Sequence, residues 1–189
     1  MKTLQLSKLK LSILIALRVL GDNDFIAPKG IIKYIAEQLQ TDKAIIDNTI
    51  QQLINTNFIV KDLNNKIKLN NTNCCNLIMI TKNIDKFILD RLINNYISLS
   101  TLRLYLLLLM KAYPHLNDHL RITYNEMIDS YNYLFHSDID SFDLGQMLDS
   151  LIDEKIIIKH RYNRSDGDGY YNEYEFINVT KILKNIGLI

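Results

Sequence analysis

The sequence predicts a mainly α protein with small β-hairpins, an α+β chain in which two similar domains stand in tandem, joined by a helix. Three observations predict it. Residues 41–68 read as one helix running directly into a two-stranded hairpin. Ile46, Ile50 and Leu53 recur there at i, i+4 and i+7, and Phe58-Ile59-Val60, a polar Asn64-Asn65 turn and Ile67 and Leu69 alternating with Lys66 and Lys68 complete the strand pattern. The same device then repeats: Leu144, Leu148, Leu151, Lys155 and Ile157 follow Ile46, Ile50, Leu53, Asn57 and Ile59 at a constant offset of about 98 residues. Finally, 189 residues with 48% apolar content supply two small cores, while 2 prolines and 6 glycines leave little room for long linkers.

The first domain covers residues 1–70. Ser7 is placed to cap the first helix and Gly21 to follow its end. Lys2, Lys8 and Lys10 ahead of the apolar run Leu11–Leu17 imitate an export signal, but Arg18 interrupts the run and no small-x-small cleavage site follows. The segment also has an internal counterpart, since Ser7-Lys8-Leu9-Lys10-Leu11 matches Ser100-Thr101-Leu102-Arg103-Leu104. The expectation is therefore a structural helix in a cytoplasmic protein, with no run reaching the roughly 18 apolar residues of a membrane span. Phe25-Ile26 reads as a short strand against the hairpin, and Pro28 sits at the first turn of the second helix. Ile31, Ile32, Ile35, Ala36 and Leu39 form that helix's apolar face, and Thr41 is placed to cap the third. Asn57 falls where the third helix needs a residue tolerant of left-handed backbone.

Residues 71–98 form the linker. Asn70 to Asn73 read as a polar loop, and Ile84, Phe87, Ile88, Leu92 and Tyr96 as one amphipathic helix packed on one or both domains, serving either as spacer or as dimerisation element. The second domain spans 99–178. It has a more uniformly apolar first helix around Leu102–Ala112, a short strand at Arg121–Thr123, helices at Tyr124–Phe135 and Ser141–Asp153, and a longer hairpin of Ile156–Asn163 and Tyr170–Ile177. Residues 179–189 read as a short terminal helix or tail.

A helix followed at once by a small hairpin, twice over, resembles the third helix and wing of the winged-helix superfamily. The tandem arrangement is similar to plasmid and phage replication initiators and to dimeric winged-helix transcription regulators. The resemblance implies that the third helix enters the major groove of double-stranded DNA. The charges divide accordingly, residues 1–70 carrying +4, residues 71–98 +1 and residues 99–189 −4. With Ile46, Ile50 and Leu53 inward, Thr41, Ala44, Asn48, Gln51, Gln52 and Asn55 point outward; Asn and Gln suit adenine, and Ala and the Thr methyl suit thymine, so an AT-rich site is expected. Lys29, Lys33, Lys43, Lys66 and Lys68 surround this face for phosphates. The second third helix exposes Ile139, Phe142, Gln146, Asp149, Ser150 and Asp153 and is a poor DNA reader. Nine of the 11 tyrosines lie between Tyr105 and Tyr174. Tyr105, Leu106, Phe142 and Asp149 are therefore assigned to a protein interface, with a homodimer or another protein as partner. Lys159, His160, Arg161 and Arg164 would let one basic wing meet a nucleic-acid backbone. The rival reading is a tandem winged-helix scaffold that binds no DNA.

No chemistry of catalysis is expected. Cys74-Cys75 lack a second pair or a neighbouring His, His115 and His119 fall in a loop, and Asp166-Gly167-Asp168-Gly169 lacks the remainder of a calcium loop. No phosphate-binding glycine loop or nucleophile elbow is present, so neither enzyme activity, metal nor cofactor is expected.

Overall fold

Leu11 and Ile13 to Leu17 are fully buried on helix α1 (Lys8–Leu20) in the computed structural model, which describes residues 5–21, 26–27, 30–64, 66–81, 84, 86–94, 96–112, 119–163 and 170–177. Such a helix, apolar on several sides, must be covered by more than one neighbour. Within the first unit, Met1–Leu99, α1 packs against α2 (Ile31–Gln38), α3 (Lys43–Asn55), α5 (Lys86–Ile93) and strand β2 (Ile67–Leu69). Lys8, one of the signal-like cations, and Arg18, which interrupts the apolar run, both make structural bonds. Lys8 Nζ donates to the Asn94 carbonyl at 2.9 Å and Arg18 Nε to the Ile78 carbonyl at 3.3 Å. Burial lowers the pKa of both groups.

Ser7 takes the N-cap position in extended backbone, but its hydroxyl makes no cap bond; Gly21 ends the helix at φ −68°, so no left-handed residue is needed there. Helix α2 instead uses a left-handed Gly30, φ 90°, at its start. Ile31, Ile35 and Leu39 are buried, while Ile32 and Ala36 are half-buried. Pro28 and Phe25 lie outside the described residues, and Ile26 forms a single antiparallel bridge to Lys68.

The third helix is capped by Asp42, whose carboxylate accepts from Ala44 N at 2.7 Å; Thr41, expected in that role, donates its hydroxyl to the Leu39 carbonyl. A carboxylate one residue nearer the free amides reaches them directly and gains from the helix dipole. Ile46, Ile50 and Leu53 are buried as the period requires, joined by Thr49, whose hydroxyl donates to the Ile45 carbonyl. Asn57 ends the helix at φ 59°, and Phe58 N returns to the Leu53 carbonyl. Strand β1 (Ile59–Lys61) then pairs antiparallel with β2. The Asp62 carboxylate accepts from Asn64 N and Lys66 N, both at 2.8 Å, and so shapes the turn.

The expected loop at 71–73 begins a helix instead. α4 (Asn71–Ile80) is capped by Asn70, which accepts from Thr72 N at 3.1 Å. Polar Asn and Thr side chains suit a helix start as well as a loop, so this boundary is ambiguous in sequence. Its two thiols differ: Cys75 is exposed, whereas Cys74 is buried against the Phe58 carbonyl and burial pushes its pKa up to about 12. On α5 the buried residues are Ile88, Leu89, Leu92 and Ile93; Phe87 and Tyr96, expected on the apolar face, are exposed. The segment 71–98 is thus packed into the first unit's core, as an amphipathic helix there requires.

The second unit, Ser100–Asn178, takes nearly all of α6 (Leu99–Ala112), followed by β3 (His119–Arg121), α7 (Tyr124–Phe135), α8 (Ser141–Asp153), β4 (Ile157–Asn163) and β5 (Tyr170–Phe176). The sheet order is β3-β5-β4, antiparallel throughout, with Leu120↔Tyr174 and Lys159↔Tyr174 fixing the register. Both later helices open with reciprocal capping boxes, Thr123 with Glu126 and Asp140 with Asp143. The sequence repeat is reproduced in detail at the end of α8. Lys155 is left-handed at φ 54°, and Ile156 N bonds the Leu151 carbonyl as Phe58 N bonds that of Leu53. Among the described residues the chain is mainly helical with two small antiparallel sheets.

Candidate nucleic-acid interface

Helix α3 buries one face and leaves Ala44, Asn48, Gln51 and Asn55 in a single exposed stripe, with Gln52 beside it. Ile45 stands next to this stripe, 52% exposed. Sequence periodicity passed over it because an Ile beside the core position Ile46 reads as more core. Lys33, Lys43 and Lys66 converge from α2, α3 and the hairpin on a depression of about 410 Å³ that also includes Gly30. Lys33 and Lys43 are exposed, and Lys33 also pairs with Glu37 at 3.6 Å in a solvated i, i+4 contact, weak enough to yield to a phosphate. Lys68 is half-buried between Val60 and Ile26, so its stem belongs partly to packing. Thr41 is half-buried with its hydroxyl already engaged, which removes it from the outward set. Lys29 lies outside the described residues.

The corresponding face of α8 differs in chemistry. Phe142, Asp143, Gln146, Asp149 and Asp153 are exposed, with Phe142 at 70%. The assigned interface residues separate: Phe142 and Asp149 face solvent, but Tyr105 and Leu106 are enclosed by the chain itself. The Tyr105 ring lies 6.1 Å from that of Phe176, and an apolar helix of this kind is consumed by the protein's own core before it can meet a partner.

A second polar surface lies at the end of the second unit's sheet, past the last β3–β5 pair, where Arg121 and Tyr171 from one face and Lys159, Arg161 and Tyr170 from the other border one groove. Arg121 on β3 lies 3.7 Å from the centroid of the Tyr171 ring, and Arg161 on β4 lies 3.3 Å from that of Tyr170. Lys159 Nζ is 5.4 Å from the Tyr124 ring, and Tyr162 stacks on Tyr171 at 5.4 Å. These cations and Tyr124, Tyr170 and Tyr171 border a groove of about 680 Å³. The basic wing was legible in Lys159 and Arg161; the contribution of Arg121 and Tyr124 was not, because only the pairing of β3 with β5 brings them there. Arg164 lies outside the described residues.

On the same sheet, His119 Nδ1 is 3.0 Å from a Glu173 carboxylate oxygen and His160 Nε2 is 2.9 Å from one of Glu175. His119, His160 and Glu175 offer three ligand atoms within 4.8 Å of one another. Each imidazole already has a carboxylate partner, so cross-strand pairing accounts for the set. His115 lies outside the described residues.

Comparison with protein-family models, curated proteins and solved structures finds no match to this chain. Among the described residues, no helix is long and apolar enough to cross a membrane.

Proposed function

We propose that the chain is a tandem winged-helix protein that binds double-stranded DNA through α3 of the first unit, with the second unit serving assembly, as in a replication initiator or transcription regulator. The observation that carries this reading is the uncharged, exposed stripe Ala44, Asn48, Gln51 and Asn55 on α3, with Lys43 at the start of the same helix sharing one depression with Lys33 and Lys66. Short amides on an exposed helix can pair bidentately with adenine, while lysines at the rim neutralise phosphates without reading sequence. Ile45 adds an apolar contact suited to a thymine methyl, so an AT-rich site is preferred. The same exposed Ile45 favours the second reading, a protein-binding scaffold without DNA affinity.

Selection of bound duplexes from a random pool by the full chain, followed by titration of the selected site at several salt concentrations, separates the two. Asn48→Ala and Gln51→Ala should each weaken the selected site by about 1–3 kcal/mol and unrelated duplex far less. Lys43→Ala should weaken both equally and reduce the salt dependence. No enrichment of any duplex, or equal losses for the amide variants on all sequences, refutes base reading by α3.

A further inference from the structure

The groove on the sheet of the second unit holds three cations, Arg121, Lys159 and Arg161, in a unit that is acidic on balance. Residues 99–189 carry 9 basic and 13 acidic side chains, so a cation placed at random there would find a carboxylate easily. Arg121, Lys159 and Arg161 find none: no ion pair joins any of them to a carboxylate among the described residues. The one acidic side chain bordering the groove, Glu126, is committed to its capping box, accepting from Thr123 N and Thr123 Oγ1, both at 2.8 Å. Each of the three cations is instead positioned over a tyrosine ring. A guanidinium stacked on an aromatic face keeps its N–H edge outward, in the geometry that grips a phosphate with two parallel bonds.

The tyrosines are not all consumed by this stacking. Tyr171 is engaged both by Arg121 and by Tyr162, so its ring is occupied. Tyr170, 52% exposed, has Arg161 as its stacking partner and retains free surface. Unpaired guanidinia beside an open aromatic ring, in a concavity of about 680 Å³, combine the two requirements of an unpaired nucleotide: a cation for the phosphate and a flat face for the base. A duplex keeps its bases stacked inside and can offer this groove only its backbone. The acidic α8 of the same unit also makes this unit unsuited to major-groove reading.

We infer that this groove binds single-stranded nucleic acid, with Arg121 and Arg161 holding backbone phosphates and Tyr170 stacking under a base. The site shares no residue with α3, so it stands or falls apart from duplex reading by the first unit. The probe is a fluorescein-labelled oligothymidylate of twelve nucleotides, titrated into the full chain at low salt and followed by anisotropy. A companion oligonucleotide carries one 2-aminopurine, whose emission is quenched on stacking; the chain contains no Trp to interfere. Binding of the single strand with 2-aminopurine quenching is expected. Tyr170→Ala should weaken it roughly tenfold and abolish the quenching. Arg121→Ala with Arg161→Ala should weaken it at least as much, and Arg161→Lys should restore only part, because a lysine is not a fork. Circular dichroism of each variant confirms the fold, and duplex affinity for the selected site should stay within twofold in Tyr170→Ala. Absence of single-strand binding, or binding that Tyr170→Ala and the double Arg variant leave unchanged, overturns the inference. Equal losses on single strand and duplex overturn it too, since they reduce the groove to a generic phosphate contact. Asn48→Ala serves as the converse control and should lower duplex affinity alone.

Discussion

Tyr34 and Asp90 show how a single contact ties the segment 71–98 to the first unit. The Tyr34 hydroxyl on α2 donates to Asp90 Oδ1 on α5, and both side chains are half-buried. Burial and the Asp90 carboxylate together raise the Tyr34 pKa. The folded state thus favours the neutral phenol, and its contribution is complete below about pH 10, the ordinary tyrosine value, and declines as pH rises through the raised one. Tyr34→Phe leaves a half-buried carboxylate short of a donor and should cost about 1.5–3 kcal/mol in urea unfolding at pH 7. Adding Asp90→Leu to Tyr34→Phe should recover most of that loss. If the double variant is as unstable as the single, the stranded carboxylate is not the source of the loss. The pair was invisible in the sequence because nothing local links two residues on separate helices. Asn57 was legible for the opposite reason: its left-handed backbone is a demand of the helix end on which it sits.

At the scale of elements, what could be read followed the range of the forces involved. The bounds of α7 and α8 match the sequence expectation because each opens with a polar cap and keeps a strict period. The shift from Thr41 to Asp42 and the conversion of the Asn70–Asn73 loop into α4 are failures of the same sort, where neighbouring polar residues compete for one cap. The surface roles failed differently. Tyr105 and Leu106 look like interface residues by composition, yet only packing decides which apolar helix is enclosed. The candidate stripe on α3 was legible, whereas the groove on the second sheet needed strand order. The capping box of α7 gives a test at this scale. Hydrogen bonds from Thr123 N and its hydroxyl hold the Glu126 pKa below the ordinary carboxylate value. A depressed value means stability that is complete above about pH 4.3, the unfolded-chain value, and lost as pH falls through the lower folded one. Thr123→Ala should cost roughly 1 kcal/mol at pH 7. Glu126→Gln should destabilise at pH 7, and its difference from the parent should shrink at pH 3. A difference that does not change with pH would mean that the carboxylate charge contributes nothing to the cap.

At the scale of the whole molecule, the number of copies in the assembly decides how many α3 stripes are presented together. One copy presents one α3 stripe, and a symmetric dimer would present two, matching a site with two-fold symmetry. With Tyr105 and Leu106 enclosed, the surviving candidate contact is Phe142, on the same face of α8 as the exposed Asp149 two turns on. An exposed Phe gains from leaving water, and in a two-fold contact the same residue would be buried from both copies. Phe142→Glu is a discriminating substitution because the residue lies in the first turn of α8, where the helix dipole tolerates an added carboxylate. The variant should therefore keep its fold by circular dichroism while losing association. Light scattering at micromolar concentration should give about twice the chain mass of 22.1 kDa for the parent and the single-chain mass for Phe142→Glu. Binding to a selected two-fold duplex should fall with it, because the second α3 would no longer be tethered to the first. A parent mass of one chain sinks the dimer and leaves Phe142 to a different protein. A dimer that survives Phe142→Glu places the contact elsewhere on the chain.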